Sequence, residues 1–212
     1  MSTTTGNRRV FVNCPFDAEY LPLLQAIVFT ITACRYEVQL AVQEVNGKVR
    51  LEKLVDLMRR SRLSIHDISR LPKNVTDSPR FNMPFECGIF FGLRSSGARV
   101  HRDKEFLVLD AQPYQYQKTM SDVASLDPKV HGNEPQRACE CVRHFLASDH
   151  RARVQEPRLP GGAKLWGHYQ SFQAALPKAA EDGGLTVDEL RSFEYLLDPI
   201  DIMVEWNRSN PL

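Results

Sequence analysis

The residues with the most chemical promise lie in the run Arg80-Phe-Asn-Met-Pro-Phe-Glu-Cys-Gly-Ile-Phe-Phe-Gly-Leu93, where one carboxylate, Glu86, stands among aromatic and aliphatic side chains. The pattern reads as a helix from Asn82 to Ser95, with Pro84 in its first turn, where proline is tolerated. Glu86 is expected in that first turn, where backbone N–H groups and the helix dipole favour the carboxylate over the acid. An ionised carboxylate held among apolar side chains can stabilise a positive charge that develops on a ligand, or capture it covalently. Gly88 and Gly92, one turn apart, each cost roughly 1 kcal/mol against alanine within a helix, so a close backbone approach is expected there. Phe85 and Ile89 are expected to cover a sheet.

Two further segments carry polar residues suited to binding. Cys14, Pro15, Phe16 and Asp17 follow a first apolar run, and Asp67 and Ser69 follow a third. Phe16 and Phe81 are candidates for stacking on a base, although aromatics more often serve the core. Asp67 suits a ribose hydroxyl or a loop backbone equally well, and Asp17 suits a helix cap. Asn82 is placed to orient the loop before Glu86. Arg50 is the phosphate candidate from a basic group that includes Arg59, Arg60 and Arg62, a group that also fits a solvated helix face. Tyr114 and Tyr116 could line the site or pack at the surface. Cys14 as a nucleophile has no histidine near it in sequence, and His66 should point away from Asp67.

The elements that must position these residues alternate. Strands are predicted at Arg9–Cys14, Glu37–Val42, Arg62–Asp67 and Glu105–Asp110, with a weak fifth at Pro128–His131. Helices are predicted at Ala18–Cys34, with Asp17 as N-cap and one buried stripe, at Arg50–Ser61 and Asn82–Ser95, at a short stretch ending near Ser125, and at Pro135–Ser148. Asn46-Gly47 marks a turn and Pro72 to Pro79 a loop. Such alternation predicts an α/β fold with a parallel, flavodoxin-like sheet of about five strands. In the order 2-1-3-4-5, the strand order reverses between the first and third strands, and ligands bind at that switch point outside the carboxyl ends. Residues 149–162 read as a Pro/Gly linker, and residues 163–177 and 186–206 as tail helices, with Thr186 and Glu189 forming a capping box. The expected division is a flavodoxin-like domain at 1–150 and a linker with a helical extension at 151–212.

Composition narrows the partners. In 212 residues, 42% are hydrophobic, 25% are charged and the net charge is +1, which predicts a globular protein with neither a nucleic-acid stripe nor a membrane patch. Met1 to Asn7 are polar and lack an apolar signal region, and the five cysteines include no C-x-x-C, so a cytoplasmic protein with reduced thiols is expected. Cys139 and Cys141 read as packing residues rather than metal ligands.

The pattern Asn82-x-x-Phe85-Glu86-x-Gly88-x-Phe90-x-Gly92 resembles the motif of bacterial TIR-like nucleotide-binding proteins, effectors of antiphage defence. It is also similar to the Glu-x-Gly helix of nucleoside 2-deoxyribosyltransferases. The Val-Asn-Cys-Pro-Phe-Asp loop and the Ser-Ile-His-Asp-Ile-Ser strand end add to the likeness, which covers roughly residues 8–150. The resemblance implies a TIR-like fold, N-glycosidic bond cleavage and Glu86 as the catalytic residue. It implies NAD as substrate, cleaved at the nicotinamide–ribose bond by hydrolysis or cyclisation, with no tightly held cofactor or metal. Activity in that class awaits assembly or a signal, so the tail is a candidate homo-oligomer contact. The transferases carry a Gly/Thr-type turn where this chain has Phe81-Asn-Met-Pro84, which points away from transfer more than from glycosidase chemistry. The alternatives are a nucleoside or nucleotide hydrolase or transferase, for which Asp67 would donate a proton to a neutral base, and a non-catalytic module that binds a nucleotide signal.

Overall fold

A computed structural model describes residues 8–40, 50–70, 81–118, 126–153, 158–186, 188–191 and 197–212. The Asn46-Gly47 turn, the Pro72–Pro79 loop, the end of the second predicted strand and the short helix toward Ser125 lie outside them. The chain divides into two compact units, one of Met1–Pro15 with Glu37–Asn133 and one of Phe16–Tyr36 with Glu134–Leu212.

The first unit is a parallel sheet of five strands, β1 (Arg9–Asn13), β2 (Glu37–Leu40), β3 (Leu63–Asp67), β4 (Glu105–Asp110) and β5 (Lys129–Val130), in the order β2-β1-β3-β4-β5. This is the α/β, flavodoxin-like order predicted from the alternation of elements. Every pairing is parallel, and Asn13 stands opposite His66 across the β1–β3 seam. β3 is buried along its whole length, as expected of a central strand covered on both faces.

In this unit α1 has no part; α2 (Arg50–Arg60) and α3 (Asn82–Ser95) flank the strands. Leu54, Leu57 and Met58 of α2 meet Phe11 and Phe90 in one apolar cluster, with Ile89, Leu93 and Phe106 at its margin. The end of α2 is closed by a buried lysine. Lys104 Nζ donates to the carbonyls of Met58 (2.6 Å), Arg59 (3.2 Å) and Ser61, and lies 5.0 Å from the Phe90 ring centroid. A cation there satisfies the orphan carbonyls of a helix terminus and meets its negative dipole end.

The second unit is helical: α1 (Leu21–Ala33), α4 (Pro135–Arg153), α5 (Gly162–Asp182) and α6 (Leu197–Ser209). The predicted single stripe on α1 is too narrow, because Leu21, Leu23, Leu24 and the whole run Ala26–Ile31 are buried. A helix apolar all round must be enclosed. Phe29 shows how: its ring centroid lies 5.5 Å from His168, 5.1 Å from Tyr169, 5.3 Å from Phe172 and 5.9 Å from Trp206. The tail helices therefore spend apolar side chains on α1.

Two sequence expectations change here. The linker predicted from residue 149 is still helix, since α4 runs to Arg153 and the buried Asp149 accepts a hydrogen bond from Tyr36 Oη at 3.0 Å. Asp17 does not cap α1 directly; its carboxylate and its carbonyl both take the amide of Tyr20, closing a turn ahead of a helix that opens at Leu21. The Thr186–Glu189 box forms with reciprocal bonds of 2.7 and 3.2 Å, and among the described residues it heads the 3₁₀ turn Glu189–Arg191. Cys139 is buried, consistent with a packing role. Among the described residues no helix is long and apolar enough to cross a membrane.

Candidate active site

The carboxyl edge of the sheet collects polar side chains. β1, β3 and β4 end in Asn13, Asp67 and Asp110, and His131 directly follows β5; all four are buried. Against this edge α3 turns the stripe Met83, Glu86, Cys87 and Phe90 inward, at spacings of three and four residues. Glu86 is thus the charged member of an otherwise apolar stripe, with 8% of its surface exposed.

Burial changes the expected chemistry of Glu86. The first turn of α3 holds no acidic residue, so Glu86 lies beyond the N–H groups that would have favoured its ionised form. Desolvation instead raises its pKa above the ordinary glutamate value, and the guanidinium of Arg50, at the start of α2, pulls the other way. Arg50 and Glu86 are brought into electrostatic contact across 36 residues of sequence, which spacing alone could not reveal.

Asp67 is a tie between loops. Its Oδ1 accepts the amide of Ser69 at 2.9 Å, and its Oδ2 stands 3.0 Å from His131 Nε2. That second approach is close but off-line, and Nε2 makes no hydrogen bond of good geometry among the described residues. His131 Nδ1 accepts the amide of Asn133 at 3.0 Å, which leaves the ring proton on Nε2, facing the carboxylate. Beside this pair, Asp110 Oδ1 accepts the Ala111 amide at 2.7 Å, while Oδ2 has no hydrogen-bond partner among the described residues. Burial first, and the charge of Asp67 further down, push the Asp110 carboxyl up to about 6, against bonds from the backbone.

The remaining candidates separate. Cys14 and Pro15 are buried immediately after β1. Phe81, 61% exposed, and Asn82 stand at the open start of α3. Phe16 and Asp17 belong to the second unit, where both are half-buried. Tyr114 is 71% exposed, whereas Tyr116 packs with Ile68, Cys87 and Val108. Phe85 does not cover the sheet; it is 57% exposed, and a Cβ added at Gly88 or Gly92 would meet nothing within 4 Å. The glycines therefore lie on the outer face of α3, and the close approach expected of them does not occur.

Asn13, Asp110 and His131 were not among the sequence candidates. For Asn13 and Asp110 the signal was present, since each ends an apolar strand, the position that faces ligands in open α/β sheets; His131 follows the two-residue β5, Lys129–Val130, which gave no such signal. Compared with protein-family models, curated proteins and solved structures, the chain matches none.

Proposed function

We propose that the protein is an N-glycosidase that cleaves the nicotinamide–ribose bond of NAD, with Glu86 stabilising the oxocarbenium-like transition state. The observation that carries this reading is the placement of Glu86 in the inward stripe of α3, a carboxyl only 8% exposed that feels the charge of Arg50. A carboxylate in such surroundings interacts more strongly with a developing positive charge than one in water. A cationic ligand would also favour the ionised form that burial opposes.

Leaving-group chemistry supports NAD over nucleosides. Nicotinamide departs from a cationic ring and needs no proton donor, whereas a neutral base does. Asp67, the donor that a neutral base would call for, is committed to Ser69 and faces His131. Asp110, whose carboxyl is pushed up to about 6 by burial, is fully buried. Phe81, exposed at the start of α3, offers a surface for a base or nicotinamide ring, and Arg50 offers charge to a phosphate.

The test is incubation of the purified chain with NAD at low and high protein concentration, following free nicotinamide by chromatography. Wild type should release nicotinamide, and Glu86→Ala and Glu86→Gln should abolish release. Release that survives both substitutions would remove Glu86 from the mechanism. If wild type binds NAD and leaves it intact at every concentration, the protein is a nucleotide-binding module instead.

A further inference from the structure

The seam between β1 and β3 contains a hydrogen-bonded chain that ends on α3. Ser64 Oγ donates to the Phe11 carbonyl at 3.2 Å, so its oxygen is free to accept from His66 Nε2 at 2.7 Å. With the ring proton on Nε2, His66 Nδ1 is a lone pair, and it faces Asn13 Nδ2 at 3.1 Å. The second hydrogen of that amide goes to the Met83 carbonyl at 3.0 Å. Each donor hydrogen and acceptor lone pair named here is used once, and Ser64, His66 and Asn13 are all buried.

The direction of the chain matters. Met83 is the second residue of α3 and stands three residues before Glu86 on the same inward stripe. A bond from β1 to its carbonyl fixes where the helix begins against the sheet, and so where the Glu86 carboxyl comes to rest. His66 sits among Phe11, Phe90 and Phe106, with ring centroids 5.5 to 6.3 Å away, so it cannot turn to offer Asn13 a different atom. Its ring is held neutral, since burial lowers its pKa to about 3.

We infer that Asn13 is a positioning residue for Glu86, its amide oriented by His66 and anchoring the first turn of α3 through the Met83 carbonyl. The role of Glu86 in catalysis rests on the function proposed above, but the anchoring does not. Asn13→Asp and Asn13→Ser are the informative changes. A carboxylate has nearly the same shape yet can donate neither hydrogen, so it keeps a contact with His66 only by reversing the ring tautomer, and it repels the Met83 carbonyl.

The deciding measurement is the titration of the Glu86 carboxyl by carbon-13 NMR, with hydrogen exchange at the Cys87 amide beside it. In Asn13→Asp the added carboxylate should push the Glu86 midpoint up by repulsion. Anchoring itself is therefore read from the uncharged Asn13→Ser, in which water should reach the loosened turn and the midpoint should fall toward the ordinary glutamate value. Cys87 exchange should quicken about tenfold, the worth of one hydrogen bond. Leu57→Ala, a core change in α2, serves as the control: it should lower the melting temperature without moving either reading. If Asn13→Asp does not fold, Asn13→Ser, too short to reach Met83, serves alone. A Glu86 midpoint unchanged in Asn13→Ser, or moved equally by Leu57→Ala, overturns the proposal. Where nicotinamide release is measurable, kcat should drop about tenfold or more with KM unchanged. A wild type with no release would sink the glycosidase reading and leave the titration to judge Asn13 on its own.

Discussion

At the scale of single residues, the two raised carboxyls make opposite demands on pH. Glu86 must be ionised to stabilise a cation, and burial raises its pKa, so nicotinamide release should climb with pH through a point above the ordinary glutamate value. A flat rate across the acid range would separate Glu86 from the chemistry. Asp110 concerns stability. Its pKa is about 6 in the fold against 3.8 for the free side chain, so the fold holds this proton more tightly than the unfolded chain does. The stability it contributes is full below about pH 3.8 and is lost as pH rises through about 6, a difference on the order of 3 kcal/mol. Asn at this position mimics the protonated form and keeps the acceptor for Ala111. Asp110→Asn should therefore match wild type near pH 4 and exceed it by about 1–3 kcal/mol at pH 8 in denaturant melts. An equal offset at both pH values would mean that Asp110 does not titrate between them.

At the scale of elements, what the sequence made legible depended on whether the signal was local. α3 and β4 run over the predicted residues, because proline near a helix start and an apolar run between charged ends are local signals. Which face of α3 turns inward was not local. Glu86 rather than Phe85 shares the buried side with Met83, whose carbonyl is bonded to Asn13 of β1, and a glutamate in the inward stripe is what a pattern reader discounts. The same limit hid the continuation of α4, held by a tyrosine 113 residues distant, and the role of Lys104. Nothing near Lys104 in sequence announces that its side chain closes α2 some 45 residues earlier. Lys104→Met keeps the aliphatic stem but leaves the carbonyls of Met58, Arg59 and Ser61 without their donor. It should cost about 2–3 kcal/mol, read as a lowered midpoint in urea. A loss below half a kcal/mol, the scale of an ordinary surface change, would mean that water replaces the ammonium without penalty.

At the scale of the whole chain, the two units do not divide it into an earlier and a later half. The second unit takes α1 from near the start of the chain and α4 to α6 from the end, and the first unit takes what remains. The reading of residues 1–150 as a domain followed by an extension came from the Pro/Gly-rich stretch near residue 160, a local signal that says nothing about what the later helices cover. Phe29 makes the consequence measurable. Its ring neighbours Tyr169, Phe172 and Trp206 all lie beyond residue 150, and α1 is apolar on nearly every side. A chain ending at residue 150 would present Phe29 and its surroundings to water, with losses of several kcal/mol from the aromatic contacts and apolar area removed. Such a chain should be aggregated or only partly folded by size exclusion and circular dichroism, and residues 158–212 added in trans should restore helical signal and solubility. Trp206→Ala in the full chain is the graded version, expected to cost about 1–3 kcal/mol because the ring is only half-buried. A monomeric, cooperatively melting chain of residues 1–150 would show instead that α1 is adequately enclosed without the tail. The apolar faces of α5 and α6 would then be available to a partner.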